Sequence, residues 1–324
     1  MAQTVGDLGE IALVDRIIAA TRGAKGARKG VVNVGPGDDA AVLAAPDGRV
    51  VVTTDVLVEG RHFRRDWSSA EDVGVKAVAE NLADIAAMGA RPTGLVIGLA
   101  LPPETEVAWV DGFLAGVLAE AGRGGAALAG GDVVRADAIY VSVTAMGDLE
   151  DRDAVLRSGA RAGDVIAVTG RLGCAAAGLA VLSRGFRSPR ALVDAHRRPE
   201  PDYAAGVRAA EGGARALMDV SDGLLLDAER MAVASGVAID IDSGAIPLDE
   251  VLASTAAAYN LDPLTWILGG GDDHALLATF PAGVRLPEGF VAVGTVVDAV
   301  GSGARVRVDG REVDQVAGFE HFRA

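Results

Sequence analysis

Short runs rich in Val, Ile and Thr alternate with longer Ala- and Leu-rich runs along the whole of this 324-residue chain. RVVVTTDVLVEG, TGLVIGLAL and YVSVTAMGDL read as strands in the first half, and VIAVTG, HALLATF and FVAVGTVV in the second. Between them lie helical stretches, at about 70–88 with Gly89 as its cap, then TEVAWVDGFLAGVLAEAG, GCAAAGLAVLSRG and a helical region around 189–211. Residues 7–22 predict one opening helix, and Asp309-Gly310 predicts a tight hairpin. Alternation of this kind excludes all-α and all-β classes and leaves α/β or α+β. The length suits two domains, and the turn-rich stretch RSGARAGD divides the chain into 1–150 and 151–324.

The chemistry concentrates in glycine-flanked aspartates. GPGDDA, VTTDVL, NLADIAAMG, LAGGDV and LMDVSDG present Asp38, Asp39, Asp55, Asp84, Asp132, Asp219 and Asp222. Seven carboxylates converging on one cleft would repel one another unless cations sat among them. Mg²⁺ suits such a set, because it binds a few carboxylates and completes its shell with water and phosphate oxygens. Asp55 is expected at the end of a strand, with the adjacent hydroxyls of Thr53 and Thr54. Asp84 sits among Leu82, Ala83, Ile85 and Ala86, where a carboxylate must be paired or metal-bound. Lys76, Glu80 and Asp84 also have i, i+4 spacing, and for Lys76 and Glu80 a solvated salt-bridge stripe is the expectation.

AGGDV predicts a glycine turn presenting Asp132. In MDVSDGLLLD, Ser221 is expected to cap a helix whose free N–H groups lie near Asp222, an arrangement that attracts phosphate. Asp and Gly are also ordinary turn residues, so none of these segments is decisive alone. GGGDDHALL adds a glycine run, expected to be flexible, before Asp272 and Asp273. Arg157 supplies a cation at the domain join, and His62 lies in the loop after VTTDVLV.

What is scarce narrows the reaction. Lys25, Lys29 and Lys76 are the lysines, and none follows a P-loop pattern. Four histidines and the single Cys174 give little support to a zinc site or a Cys–His dyad. No acid–base or covalent machinery is visible, so direct in-line transfer by metal and positioning is expected. A phosphate monoester acceptor, with a second pKa of about 6, is already anionic and needs no base. The net charge of −15 disfavours nucleic-acid and anionic-membrane partners. One cysteine, no visible leader and no membrane-length apolar run predict a cytoplasmic protein.

GPGDDAAVL, TTDVLVEGRHF, NLADIAAMGARP, AGGD, LRSGARAGD, DVSDGLLLD and GFEHF occur in the order and spacing of thiamine-monophosphate kinases. The chain resembles that family over nearly its whole length. The family belongs to the ATP-binding superfamily of aminoimidazole ribonucleotide synthetase and selenophosphate synthetase. The resemblance implies a two-domain PurM-like fold of mixed sheets flanked by helices, and a homodimer. The implied activity is that of an ATP:thiamine-phosphate phosphotransferase, which moves the γ-phosphoryl group of ATP to thiamine monophosphate. It further implies that Asp39, Thr53, Thr54, Asp55, Asp84, Asp132, Asp219 and Asp222 ligate several Mg²⁺ ions. Asp39, Gly131, Asp132, Arg157 and Ser221 are implied to contact ATP, and His62, Asp272 and Phe319 to border thiamine monophosphate. The family's GGEDYEL is replaced here by GGGDDHA, with Asp272, His274 and Ala275 at the changed positions. Alternatives are another reaction of the superfamily, of the purine-synthesis ligase or cyclase type, or a non-catalytic Mg²⁺–nucleotide binding protein.

Overall fold

The structure, a computed structural model, describes residues 2–22, 25, 30–36, 40–299, 305–313 and 317–318. It separates into two compact units, one of residues 1–85 and 90–151, the other of 86–89 and 152–324.

The first unit opens with α1 (Val5–Leu8) and α2 (Glu10–Thr21) rather than one helix, because Gly9 adopts a positive φ of 79° between them. The Thr4 and Asp7 side chains form a reciprocal capping box on α1. A short ribbon follows, β1 (Val32–Val34) with β2 (Val42–Leu43). Next come β3 (Val51–Val58), α3 (Ala70–Ala87), β4 (Arg91–Leu101), α4 (Val107–Gly124), β5 (Ala127–Arg135) and β6 (Tyr140–Asp148). The sheet order is β3-β6-β4-β5, with β4 and β5 parallel and the other pairs antiparallel. The consecutive strands β5 and β6 therefore straddle β4 instead of forming a hairpin. One sheet face buries Leu57, Ile97, Leu99, Val141, Val143 and Ala145. Helices α3 and α4 meet backbone to backbone, since a Cβ on Gly74 would overlap the Phe113 carbonyl and one on Gly116 the Glu71 carbonyl. α3 is buried nearly all round, as its alanine-rich sequence permits. Lys76 and Glu80 are consequently only 3% and 9% exposed, so the expected solvated stripe is corrected to a buried pair.

The second unit contains β7 (Val165–Thr169), α5 (Cys174–Ser183), α6 (Arg190–Arg197), α7 (Tyr203–Glu211), β8 (Ala216–Val220), α8 (Leu224–Ser235) and β9 (Ala238–Ile241). It continues with α9 (Glu250–Ala258), α10 (Leu264–Gly269), β10 (Ala275–Phe280), β11 (Val291–Val297), β12 (Val306–Val308) and β13 (Arg311–Glu312). Its sheet runs β13-β12-β9-β11-β7-β10-β8, antiparallel except where β12 joins β9. The β12–β13 turn places Asp309 and Gly310 at φ 53° and 74°, as the Asp-Gly pair predicts. Met218, Val220, Leu224, Ala228 and Met231 of β8 and α8 pack into one core with Ile166, Val168 and Leu277. That packing fixes the direction of the turn between β8 and α8.

Candidate functional site

In the first unit the carboxylates sit on regular elements. Asp55 lies in the middle of β3 rather than at its end, and period-2 alternation separates the two threonines. Thr53 and Asp55 face α3, where the Thr53 hydroxyl donates to Asp84 Oδ2 at 2.6 Å. The Asp55 N–H donates to Asn81 Oδ1 at 3.0 Å. The Thr54 hydroxyl points the other way, donating to the Val143 carbonyl at 2.9 Å and accepting from the Thr144 hydroxyl at 3.2 Å. His62 closes the following loop, with Nδ1 accepting the Val58 N–H at 2.9 Å, while Lys76 Nζ lies 3.5 Å from the His62 carbonyl. Lys76 Nζ is also 3.9 Å from Glu80 Oε1.

Asp132 is carried by β5, not by a turn. The glycine before it serves close approach of two strands, because a Cβ on Gly131 would overlap the Ile97 carbonyl of β4. Gly131 and Asp132 border a cavity of about 730 Å³. Apolar side chains, among them Val14 and Ile17 of α2, Val96 of β4 and Phe113 of α4, supply most of its wall. Asp38 and Asp39 of GPGDDA lie outside the described residues.

The second unit builds its acidic group from two interlocked loops. β8 ends at Val220, and α8 begins at Leu224 with Gly223 at the N-cap, so Ser221 does not cap the helix. Asp227 instead ties down the loop before the helix, its Oδ2 accepting the Asp222 N–H at 3.0 Å. Arg230 NH1 bridges Asp222 Oδ2 at 2.6 Å and Asp227 Oδ1 at 2.7 Å. Burial pushes the Asp227 carboxyl up to about 6; the charges of Asp219 and Asp222 add to the shift, while the Asp222 N–H and Arg230 oppose it. Sequence reasoning missed Asp227 and Arg230, although an aspartate directly after LLL, with an arginine three residues on, was the available signal.

The second loop, 270–274, packs onto the first. The Asp272 N–H donates to the Ser221 carbonyl at 2.9 Å, and a Cβ on Gly271 would overlap that same carbonyl oxygen. A Cβ on Gly270 would overlap the Trp266 carbonyl, so the glycine run is close-packed, contrary to the flexibility expected of it. Asp272 and His274 both take left-handed backbone, φ 70° and 53°. Asp272 Oδ2 lies 3.8 Å from Nδ1 of the buried His196, and His274 Nδ1 lies 3.2 Å from Asp219 Oδ2. Asp273 turns inward, and its Oδ1 accepts the Ala175 N–H at the start of α5 at 2.9 Å. Burial pushes its carboxyl up to about 7, against the opposing N–H groups of Ala175 and Gly173. Beside it, burial and then the Asp273 charge push the Cys174 thiol up to about 12, which leaves it unreactive at neutral pH. Arg157 is exposed, with its carbonyl 3.3 Å from the Ser235 hydroxyl, and Phe319 lies outside the described residues.

The donor set fits a hard cation. Carboxylate and hydroxyl oxygens dominate it, and Mg²⁺ takes such oxygens.

Known proteins match this chain in both units. Residues 37–149 match the N-terminal domain family described as AIR synthase related protein, and residues 161–278 match its C-terminal counterpart. A thiamine-monophosphate kinase of Mycobacterium tuberculosis (strain ATCC 25618 / H37Rv) is 48% identical over 320 residues, covering 98% of this chain and 93% of that protein. The thiamine-monophosphate kinase structure from Stenotrophomonas maltophilia K279a superposes with a TM-score of 0.80 at 35% identity, covering 97% of this chain and 99% of the other. The Aquifex aeolicus enzyme complexed with AMPPCP and TMP gives 0.79 at 34% identity, covering 98% of each chain.

Proposed function

The chain belongs to the thiamine-monophosphate kinase family, and from that premise we propose how its residues divide the work of moving a phosphoryl group from ATP to thiamine monophosphate. It is a phosphotransferase with ATP as co-substrate. The observation that carries the reading is the pair of acidic groups, one in each unit, with Asp84 held by the Thr53 hydroxyl in the first and Asp222 held by Arg230 in the second.

Thr53, Asp55, Asp84 and Asp132 of the first unit and Asp219 and Asp222 of the second are the Mg²⁺ ligands, together with Asp39. The Thr54 hydroxyl is committed to β6, so its contribution falls to the main chain. Held by these residues, Mg²⁺ would supply positive charge against the phosphate oxygens. Gly131 and Asp132 meet the nucleotide, and the neighbouring apolar cavity has the size and lining to take its base. Arg157 and Ser221 complete the contacts to ATP. His62, Asp272 and Phe319 border thiamine monophosphate, where the negative charge of Asp272 faces the cationic thiazolium ring. The acceptor phosphate is anionic at neutral pH, so transfer is direct and in line, with no phosphoenzyme.

A homodimer is supported by the sheet face opposite the helices. Val52 and Val56 of β3, Val134 of β5 and Tyr140 of β6 are exposed on it, and the register Val58–Tyr140–Ala100–Val134 puts them on one side. A second copy packing sheet on sheet would cover this apolar face. No helix among the described residues is long and apolar enough to cross a membrane. A cytoplasmic location is part of the proposal and suits a biosynthetic phosphotransferase.

A coupled assay of ADP release tests the reading. ADP should appear only with thiamine monophosphate present and match thiamine diphosphate formed one for one. ADP release without that acceptor, or a phosphoenzyme trapped with labelled ATP alone, would overturn it. Asp272→Ala should raise the KM for thiamine monophosphate at least 10-fold, leaving kcat and the KM for ATP nearly unchanged. An unaltered KM would make Asp272 a turn residue only.

A further inference from the structure

His274 stands at the mouth of β10 with its ring buried and its Nδ1 3.2 Å from Asp219 Oδ2, a carboxylate that is itself only 8% exposed. The strand register explains the meeting. Asp219 of β8 pairs with Leu276 of β10, and His274, two residues before Leu276, is the diagonal neighbour of Asp219 across the two strands. The ring is placed there against a conformational cost. A φ of 53° is unusual for a residue of this size, and it persists only where the surroundings over-determine it. The Ser221–Asp272 hydrogen bond and the close contact of Gly271 on Ser221 supply that determination.

Resting on the reading of Asp219 as a Mg²⁺ ligand, we propose that His274 is a positioning residue for that ligand. Its Nδ1–H donates to Asp219 Oδ2, fixes the plane of the carboxylate and leaves Oδ1 to meet the cation. Hydrogen bonds to a ligating group set its orientation, and their loss typically lowers metal affinity or activity about 10–100-fold. The arrangement also explains the residue type. A carboxylate enclosed this far needs a donor, and the imidazole supplies one.

Mn²⁺ titration of the full chain with a non-hydrolysable ATP analogue, followed by electron paramagnetic resonance, separates this role from simple core filling. His274→Phe and His274→Ala remove the donor, whereas His274→Asn keeps an N–H and tolerates left-handed backbone. The first two should weaken Mn²⁺ binding at one site roughly 10–100-fold, and His274→Asn should restore it to within about 3-fold. Asp219→Asn should lose that same ion. Native Mn²⁺ affinity in His274→Ala, with at most a lowered Tm, would overturn the proposal, as would an Asn variant no better than the Ala variant. Should His274→Phe fail to fold, the Ala and Asn pair decides, because both leave room at the site and differ in the donor. If Asp219→Asn binds every ion the native protein binds, the ligand reading of Asp219 has failed instead.

Discussion

The two units hold their aspartates by different means. In the first, Thr53, Asp55 and Asp84 project from a strand and a helix; the Thr53 hydroxyl donates to Asp84, and the Asn81 amide oxygen accepts the main-chain N–H of Asp55. In the second, Ser221, Asp222 and Asp272 occupy loops, which are held by glycine close packing and by the Arg230 bridge to Asp222 and Asp227. Regular elements fix a side chain through backbone ladders that no acidic residue has to support. A loop must be fixed by its own side chains and contacts, so function and stability are coupled there. Substitutions at these residues of the first unit should therefore impair transfer with little effect on folding, whereas those at the loop residues of the second should affect both.

The largest effect is expected from the proposed ligands. Asp84→Asn and Asp222→Asn should each lower kcat by about 10³-fold or more, since charge stabilisation at the phosphates is the main catalytic device. Steady-state turnover at ordinary Mg²⁺ measures this, and near-native turnover in either variant would remove that residue from the site. Thermal melts sharpen the contrast. Asp84→Asn should melt close to the native protein, while Asp222→Asn should shift, because it disturbs the Arg230 bridge.

Asp273 gives the next largest effect. Its folded carboxyl titrates at about 7, above the ordinary aspartate value, so the native state holds a proton that the unfolded chain releases near pH 4. Stability contributed at low pH should fall as pH rises from about 4 to 7, by up to about 1.4 kcal/mol per pH unit. Asp273→Asn keeps the acceptor for the α5 N–H groups and should lack this slope. Urea denaturation of both proteins across that range is the measurement. Parallel curves would show that Asp273 ionises freely in the fold.

Arg230→Gln should destabilise by about 2 kcal/mol at pH 8, less than a fully buried pair because the guanidinium is partly exposed. The loss should shrink at pH 5, where Asp227 is protonated and needs no cation. Thr53→Val is the counterpart in the first unit and should cost about 1 kcal/mol or less. Equal losses in the two variants would break the comparison. Smallest of all, Cys174 should resist alkylation in the folded protein at pH 7, and rapid labelling would contradict its enclosed thiol.

The sequence by itself determined the class, most elements and the chemistry. Alternating β-branched and alanine-rich runs specify strands and helices, because side-chain shape and backbone preference act within a few residues. Asp84 stood out in the sequence as a candidate because a carboxylate among apolar neighbours needs a compensating reason, and the Thr53 hydroxyl donates to it. Only the tertiary structure decided what those side chains face. Thr53 and Thr54 are neighbours in sequence, yet the pleat sends one to Asp84 and the other to β6. Lys76 and Glu80 read as a surface stripe until the packing of α3 buried them. Ser221 had the chemistry of a cap, but the helix begins only at Leu224 and Gly223 takes the N-cap position. The glycines 270 and 271 read as slack because their missing side chains mark either freedom or close approach, and only the neighbouring Trp266 and Ser221 carbonyls tell which. Partners such as Arg230 for Asp222 and His274 for Asp219 depend on separations of 8 and 55 residues. Local preference carries no information across the longer of these, and the sheet register supplies it.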